Sequence, residues 1–354
     1  MRKPTRILLG MSGGTDSSVS AMLLQEQGYE VVGVTFRFFD EKPDIEPPHI
    51  QEARELAGKL NIKHHTVDAR ERFQKEVVDY FIDEYLAGRT PFPCVKCNRT
   101  LKWQLLLEWS EKLHCPKIAT GHYARLTEKD GKFYITQSAD KDKDQTFFLW
   151  GLPQPVLQKA VFPLGDLTKT EIRKIAEERG FRKIAEKKDS MGICFCPGDY
   201  RDFLKKQEKL NAIIRKGNFV DESGAFLGRH ESYLFYTVGQ RYGLGISLNK
   251  PVFVKEIIPS ANKVVLAPID KIFQQEIFVE NYHIIDKADF SEDFDIITKI
   301  RYRHQATPSR VQIVNKNHLR IELQEPVSAV APGQSAVFYK NGKVLGGGII
   351  RNFE

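Results

Sequence analysis

Residues 10–18 read GMSGGTDSS, and this stretch decides the fold of the amino-terminal half of the chain. It separates a short apolar run, RILLG at 6–10, from a segment at 17–27 that predicts a helix ending before Gly28. Small side chains let backbone N–H groups approach an anion, and the start of a helix carries partial positive charge. The string contains neither G-x-x-x-x-G-K-[ST] nor G-x-G-x-x-G. It therefore predicts a phosphate or pyrophosphate cradle, the structural alternative being a tight turn capped by Asp16 or Ser17.

Further strands and helices alternate after this loop. Strands are predicted at 30–36, 62–68 and 117–122, and helices at 50–60, 73–86 and 99–113. Such alternation is typical of a parallel sheet covered by helices, which binds ligands at the carboxyl ends of its strands. Asp130-Gly131 predicts a hairpin turn, and Thr168 with Glu171 a capping box.

The sequence pattern of the second half is typical of an all-β protein, with short strands and frequent turns. We predict three domains. An α/β domain spans 1–207, a small β domain spans 208–275, and a β-barrel spans 276–354.

Charge and hydropathy favour a polyanionic partner over a membrane. The chain has 53 Lys and Arg against 46 Asp and Glu, a net charge of +7. Basic residues outnumber acidic ones at 169–188, and 299–320 contains no acidic residue. Two basic segments far apart in sequence suit a long polyanion such as RNA. No apolar run approaches about 18 residues, so we expect no membrane span, and with no export signal we expect a cytoplasmic location.

Five cysteines are present, and two of them form a C-x-x-C in RTPFPCVKCNR at 89–99. Their odd number argues against a secreted disulfide framework. A C-x-x-C can hold a metal, cycle as a disulfide or carry sulfur. Cys97 and Cys194, the latter in SMGICFCPGDY, are each placed in a loop bounded by Gly or Pro, which disfavours a packing role. Cys115 is interpreted as a small buried hydrophobe.

Two levels of resemblance follow from these motifs. The S-G-G-x-D-S string resembles the PP-loop of the ATP pyrophosphatases, which have an α-hydrolase-like parallel sheet. Over nearly the whole chain, the sequence resembles the tRNA-specific 2-thiouridylase (MnmA/TrmU) family. The resemblance rests on a series of blocks in order: GMSGGTDSSVSAMLL, GRTPFPCVKCNRTLKW, ATGHYAR, DKDQTFFL, FPLGDLTKTEIRKIA, DSMGICF, YTVGQRYGLGI, RYRHQ and APGQSAVFY.

The resemblance implies an enzyme that thiolates the wobble uridine of tRNA. ATP would adenylate the C2 oxygen of the base, forming AMP and pyrophosphate, and Mg²⁺ on Asp16 would offset the charge of the leaving group. Cys194 would receive sulfur as a persulfide from a donor protein, such as a cysteine desulfurase or relay protein. A persulfide ionises more readily than a thiol and can attack the activated carbon. Cys97 would then close a disulfide with Cys194, which exchange would reduce; the sequence equally allows the two thiols to exchange roles.

The same resemblance implies binding residues. Those expected to contact ATP are Gly10, Met11, Ser12, Gly13, Gly14, Thr15, Asp16, Ser17, Phe36 and Gly121. Those expected to contact tRNA are His122, Lys143, Asp144, Gln145, Arg301, Tyr302 and Gln334.

The chain departs from the family pattern at Cys94. The family has an N-P-D-x-x-C string here, and Cys94 occupies the position of its Asp. The replacement creates the C-x-x-C and, with Cys194, gives three thiols. Three cysteines are also the ligand set of a [4Fe–4S] cluster with one open iron, so a cluster-dependent route is the main alternative. Zinc is a further option, with Cys196 as the fourth ligand.

Three other functions compete with tRNA 2-thiolation. The first is a different PP-loop ligase, which would not need the thiol pair. The second is a non-catalytic RNA-binding protein, against which the intact SGGTDS string argues. The third is a thiolase that acts on another tRNA base.

Overall fold

The computed structural model describes residues 4–40, 45–187, 192–248, 250–291, 293–303 and 306–352. Parts of two blocks quoted above, residues 189–191 of DSMGICF and 304–305 of RYRHQ, lie outside these ranges. The chain divides into two compact units. The first comprises 1–77, 94–195 and 341–344, and the second comprises 78–93, 196–340 and 345–354.

The first unit contains a parallel five-stranded sheet. Its strands, in spatial order β3-β2-β1-β4-β7, are β3 (Lys63–Asp68), β2 (Glu30–Arg37), β1 (Arg6–Gly10), β4 (Lys117–Thr120) and β7 (Ala160–Val161). The apolar run of β1 is fully buried at Ile7, Leu8 and Leu9, which places this strand in the middle of the core. The chain leaves β1 towards β2 on one side and returns as β4 on the other. This topological switch point is where doubly wound sheets bind ligands.

Ten α-helices form in the described parts of the chain. They are α1 (Thr15–Glu26), α2 (Pro48–Lys59), α3 (Arg70–Phe73), α4 (Asp79–Leu86), α5 (Pro93–Cys97), α6 (Trp103–Lys112), α7 (Gln154–Lys159), α8 (Lys169–Glu178), α9 (Arg182–Ala185) and α10 (Tyr200–Lys205). π-helical turns at Gln74–Val78 and Asn98–Lys102 join α3 to α4 and α5 to α6. The capping box is confirmed, because Thr168 accepts from the Glu171 backbone and Glu171 accepts from Thr168.

A hairpin follows β4 in the first unit. It consists of β5 (Arg125–Lys129) and β6 (Lys132–Thr136). The predicted turn is confirmed: Asp130 and Gly131 have φ of 52° and 72°, the left-handed conformation that such a tight turn requires.

The second unit contains two β assemblies. The smaller is a four-stranded sheet of β8 (Gly217–Val220), β9 (Phe226–His230), β10 (Phe253–Ile258) and β11 (Lys263–Ala267), in the order β10-β11-β8-β9. The larger is built from β12 (Phe273–Ile284), β13 (Ile296–Lys299), β14 (Thr307–Ile313), β15 (His318–Ser328), β16 (Ser335–Lys340) and β17 (Lys343–Ile350). Pairing of β12 with β17 closes it into a barrel.

The predicted fold class is confirmed: a parallel α/β domain precedes a small β domain and a β-barrel. Among the residues described, no helix is long and apolar enough to cross a membrane.

Candidate functional site

The glycine-serine loop joins β1 to α1 and is held by hydrogen bonds within itself. The Ser12 backbone N–H donates to Ser17 Oγ at 3.2 Å, and Ser17 Oγ donates to the Gly14 carbonyl at 3.2 Å. Gly14 is the N-cap of α1 and receives no side-chain cap, so the first amides of the helix are available to a ligand. The arrangement suits an anion at the start of α1.

Two glycines of the site cannot be replaced without a clash. Gly13 has φ of +68°, and a Cβ there would lie 2.5 Å from the His49 carbonyl oxygen. A Cβ on Gly121 would lie 2.8 Å from the Ser17 nitrogen and 2.9 Å from the Asp16 carbonyl carbon. Gly121 follows β4, so the end of this strand is packed against the start of α1. The predicted ATP residues on these two elements are therefore neighbours in space.

Asp16 is fixed by two residues that the sequence analysis did not select. Its Oδ1 accepts from the Tyr123 hydroxyl at 2.7 Å and from Lys169 Nζ at 2.7 Å. Its side chain keeps 35% of its surface exposed, so the carboxylate still faces solvent. A third unselected residue, Lys187, donates to the Gly13 carbonyl at 2.9 Å. The loop thus has two amines beside it, contributed by segments more than 150 positions away in sequence.

The other predicted ATP residues differ in accessibility. Met11 and Thr15 are buried, with Thr15 Oγ1 donating to the Ile184 carbonyl at 2.6 Å. Phe36 is also buried, and its ring lies 5.8 Å from that of Phe38. Gly10 is half-buried at the end of β1. Met11, Thr15 and Phe36 therefore shape the walls of the site from within the core.

The C-x-x-C is helical, and the loop predicted for Cys97 is wrong. Cys94 and Cys97 lie in α5, three positions apart, so both side chains project from the same face of the helix. Pro93 begins this helix, a position where its fixed φ and missing N–H cost nothing. The helix predicted to start at Arg99 thus starts six residues earlier and passes through a π-helical turn. Prolines at 91 and 93 suggested a loop because proline also marks turns.

The thiols of Cys94, Cys97 and Cys194 influence one another. Burial, together with the smaller effects of Cys194 and Cys94, raises the pKa of Cys97 to about 11. Burial is also the main cause of the raised pKa values of Cys94 and Cys194. The charge of Cys194 is a second cause that raises the pKa of Cys94. All five cysteines are free thiols. That these three thiols converge at one site stays a prediction.

Lys102 opposes these shifts at every one of the three thiols. Its charge lowers the pKa of Cys97, Cys194 and Cys94, in each case against the effect of burial. Lys102 ends the π-helical turn, and it belongs to no motif that would single it out.

Accessibility separates the two principal thiols. Cys97 is buried with 8% of its surface exposed, whereas Cys194 is exposed to solvent on one side. Phe195 anchors the segment after Cys194, since its ring lies 5.6 Å from that of Phe73 and 6.3 Å from that of Phe39. Cys194 therefore stands at the surface, directly before a fixed aromatic side chain.

The remaining cysteines lie apart from this cluster. Cys115 is buried, as predicted, and the charges that act on its pKa are those of Arg6 and Glu30. Cys196 is buried, and the charges acting on it are Asp199 and Asp202. In the ranges described, no three His, Cys, Asp or Glu side chains are placed to hold a metal ion. The geometry thus gives the iron–sulfur or zinc alternative no ligand set.

His122 is a neutral, constrained side chain. Its Nδ1 lies 2.7 Å from Thr120 Oγ1, and its ring lies 6.1 Å from the Trp103 ring in a stacked orientation. Burial, followed by the nearby charge of Lys102, lowers its pKa to about 3. His122 therefore neighbours the same amine as the thiols.

The predicted tRNA residues at 143–145 include a structural anchor. Asp144 is buried and accepts from the backbone of Ser138 at 2.9 Å and from the Thr146 hydroxyl at 2.5 Å. Gln145 Oε1 accepts from the Tyr123 backbone at 3.0 Å. Lys143 is half-buried. Asp144 and Gln145 hold this loop in place, whatever else they contact.

In the second unit, Arg301 and Gln334 also make internal contacts. Arg301 donates to the Ala329 carbonyl, and burial lowers its pKa. Gln334 donates to the carbonyls of Thr90 and Pro91, at 2.8 Å and 3.3 Å. Tyr302 is half-buried, and the neighbouring Arg303 guanidinium lies 6.0 Å from its ring centroid.

Three successive parts of the chain each match a model of a known domain family. Residues 5–198 match the family model described as tRNA methyl transferase HUP domain, 201–268 match the tRNA methyl transferase PRC-barrel domain, and 274–350 match the aminomethyltransferase beta-barrel domain. The tRNA-specific 2-thiouridylase MnmA 2 of Phocaeicola vulgatus is 52% identical over 98% of this chain and 97% of its own length. The chain belongs to the tRNA-specific 2-thiouridylase family.

Other members of the family also match over nearly their whole length. MnmA 1 of Bacteroides fragilis is 52% identical, covering 99% of this chain and 98% of its own. MnmA of Cytophaga hutchinsonii is 44% identical, covering 99% of both. The predicted family is thereby confirmed.

Proposed function

We propose that this chain is an ATP-dependent sulfurtransferase that replaces the C2 oxygen of the tRNA wobble uridine with sulfur, in the cytoplasm. Membership of the 2-thiouridylase family over nearly the whole chain supports the reaction. The observation that carries the chemistry is that Cys97 and Cys194 lie in the same unit as the nucleotide loop and share one amine, that of Lys102.

The nucleotide loop provides the groups that adenylation needs. Backbone amides at the start of α1 bind phosphate oxygens, and the amines of Lys169 and Lys187, paired with Asp16 and Glu52, lie beside the loop. Asp16 has the donor type that Mg²⁺ prefers, and its partly exposed carboxylate fits that ion. When bound, the metal would offset charge on the leaving pyrophosphate. The products of the step are the adenylated base and pyrophosphate.

Accessibility assigns the two thiols different tasks. A donor protein must reach the thiol that it loads, and Cys194 is the exposed one. The terminal sulfur of the Cys194 persulfide attacks C2 of the adenylated base, and AMP leaves with the C2 oxygen. The Cys97 thiolate then attacks the Cys194 sulfur and breaks the S–S bond, whose electron pair stays on the base as the thiocarbonyl. The resulting Cys97–Cys194 disulfide is reduced by a thiol reductant.

Lys102 stabilises the anions of this sequence. A buried thiol with a pKa of about 11 is almost entirely protonated at neutral pH, and thiolates are the reactive species. The positive charge of the Lys102 amine favours the ionised form of Cys97. His122, neutral at this pH, can accept or donate one hydrogen bond to the base without adding charge.

Most of the residues predicted to contact tRNA keep that role in the proposal. We place Lys143, Gln145, Arg301 and Tyr302 against phosphates or bases, since cations and aromatic rings provide such contacts. Asp144 and Gln334 would act by holding their loops, in keeping with their internal hydrogen bonds. The sulfur donor is a protein that carries a persulfide.

The proposal is tested with four single substitutions, Cys97→Ser, Cys194→Ser, Cys94→Ser and Cys115→Ser. The readouts are 2-thiouridine in digested tRNA, by mass spectrometry, and tRNA-dependent pyrophosphate release. Cys97→Ser and Cys194→Ser should lose the thiolated base yet still release pyrophosphate, because adenylation needs neither thiol. Cys115→Ser is the matched control and should behave as wild type. Full thiolation by Cys194→Ser would overturn the proposal and favour a ligase.

The cluster route is distinguished by metal analysis. After anaerobic purification, iron-free enzyme should form 2-thiouridine from a persulfide donor, and Cys94→Ser should retain this activity. Stoichiometric iron and sulfide, lost together with activity in Cys94→Ser, would instead establish the cluster-dependent route.

A further inference from the structure

An irregular loop in the second unit connects a 3₁₀ turn at Tyr233–Phe235 to β10. From Tyr236 to Val252, the described residues form neither helix nor strand. A connection of this length in a compact domain is uncommon and usually serves a function. We call the described residues 241–248 and 250–252 the Tyr242 loop.

The base of the loop is fixed. The Gly239 backbone N–H donates to the Val254 carbonyl at 2.7 Å, and the Val254 N–H donates to the Gln240 carbonyl at 2.9 Å. The side chain of Gln240 accepts from the Thr237 N–H and donates to the Tyr242 carbonyl at 2.9 Å. These bonds secure the chain on both sides of Arg241, so the tip starts from a defined position.

The tip presents an aromatic ring to solvent. Tyr242 is 79% exposed, the largest value for a large hydrophobic side chain in the described ranges. The Arg241 guanidinium lies 5.2 Å from the Tyr242 ring centroid and 5.9 Å from that of Phe253. Leu244, two residues beyond Tyr242, is buried and fastens the far side of the tip. The ring is thus displayed on a loop secured before and after it.

A cavity of about 420 Å³ adjoins this ring and is lined by the Tyr242 loop. Its size lies in the range of small-ligand sites. Two cations, Arg241 and Lys250, are among its lining residues, and both are exposed. The sequence contains no Asp or Glu from Ser232 to Lys255. The surroundings therefore favour an anionic ligand with a flat apolar part.

RNA has this combination of properties. Unpaired bases stack on exposed aromatic side chains, and Arg and Lys bind the phosphates that flank them. We infer that the Tyr242 loop binds tRNA, with an unpaired base stacked on Tyr242 and its phosphates held by Arg241 and Lys250. The inference rests on the proposed function for the identity of the RNA. It adds a contact in the central β domain to those expected in the α/β domain and the barrel.

The test compares Tyr242→Ala with Tyr242→Phe and Phe226→Ala in the full-length protein. Phe226 is the matched control, being a 62% exposed aromatic residue on β9 of the same sheet domain and outside the sequence of the loop. Tyr242→Ala should weaken tRNA binding by about 5- to 100-fold, the usual effect of losing one stacked base. Tyr242→Phe should restore most of the affinity, and Phe226→Ala should bind as wild type. Unchanged unfolding curves establish that the variants are folded.

The phosphate contacts give a second readout. Arg241→Ala should reduce the slope of log affinity against log salt by about one ion, whereas Tyr242→Ala should leave the slope unchanged. Wild-type affinity in both Tyr242→Ala and Arg241→Ala would overturn the inference, as would an equal loss in Phe226→Ala. A wild-type enzyme that binds tRNA through Tyr242 but forms no 2-thiouridine would refute the proposed function alone.

Discussion

Replacing Lys102 by Met should make Cys97 less reactive without touching either thiol directly. A pKa of about 11 leaves about one Cys97 in a thousand ionised at pH 8. Lys102 favours that small population through its charge, and this charge is lost in the variant. A nearby charge at a half-buried position typically contributes about half to one pKa unit. Cys97 should therefore alkylate about 3- to 10-fold more slowly in Lys102→Met.

The assay is alkylation by iodoacetamide between pH 7 and 10, followed by tryptic digestion. Lys96 lies between the two cysteines, so cleavage places Cys94 and Cys97 on different peptides, and both are followed in one experiment. The Cys97 rate should rise about tenfold per pH unit across this range, because the pH stays below its pKa. Cys115 serves as the internal control, since Lys102 does not act on it.

Lys102→Arg keeps the positive charge and changes the packing. Cys97 in this variant should therefore be alkylated at nearly the wild-type rate. A Cys97 rate that levels off below pH 9 would show a thiol ionised near neutrality and refute the burial argument. Equal rates in Lys102→Met and wild type would remove Lys102 from the sulfur chemistry.

Three further outcomes follow from the described contacts. Gly121→Ala should raise the KM for ATP at least tenfold and lower the free energy of unfolding by about 1–3 kcal/mol, because its Cβ would lie 2.8 Å from the Ser17 nitrogen. Gly58→Ala is the control and should not destabilise the protein, because no atom lies near its Cβ. Unchanged ATP kinetics in Gly121→Ala would contradict the packing. Asp68→Asn should cost at most about 1 kcal/mol at pH 7, since Arg70 lowers the pKa of this exposed carboxylate to about 2. This stabilisation is present above the unfolded pKa of about 3.9 and is lost as the pH falls towards 2. The free energies of unfolding of variant and wild type, measured by urea titration, should therefore converge near pH 2. A difference that persists in acid would contradict the ion pair. The His122 ring resonances should not titrate between pH 5 and 8, because burial lowers its pKa to about 3, and a midpoint near 6.5 by NMR would contradict this environment.

Local sequence signals predicted most of the fold. The strand at 6–10, the Asp130-Gly131 turn and the Thr168 capping box depend on neighbours a few residues away, and each forms as expected. The C-x-x-C was placed in a loop because Pro91 and Pro93 read as turn residues. In the structure Pro93 begins a helix, a use of proline that local composition does not distinguish from a turn.

The loop and the thiols were singled out from the sequence, whereas the amines beside the loop were not. Lys169 reaches Asp16 across 153 positions, and Lys187 reaches Gly13 across 174. Lysines in a basic segment carry no local mark of such a partner, since only the folded sheet brings them together. The capping box put Lys169 at the first position of α8, which was the one available hint.

The π-helical turn at Asn98–Lys102 has a geometric consequence for the sulfur chemistry. In a regular α-helix, a residue five positions along is rotated by about 140° and faces elsewhere. The wider turn reduces that rotation, so residue 102 lies over residue 97 on the same side of the helix. One extra residue in this helical turn thus sets the rotation of Lys102 about the helix axis relative to Cys97. Shortening the chain by a single position here would restore an ordinary helix and turn the amine away, with every side chain of the centre still present.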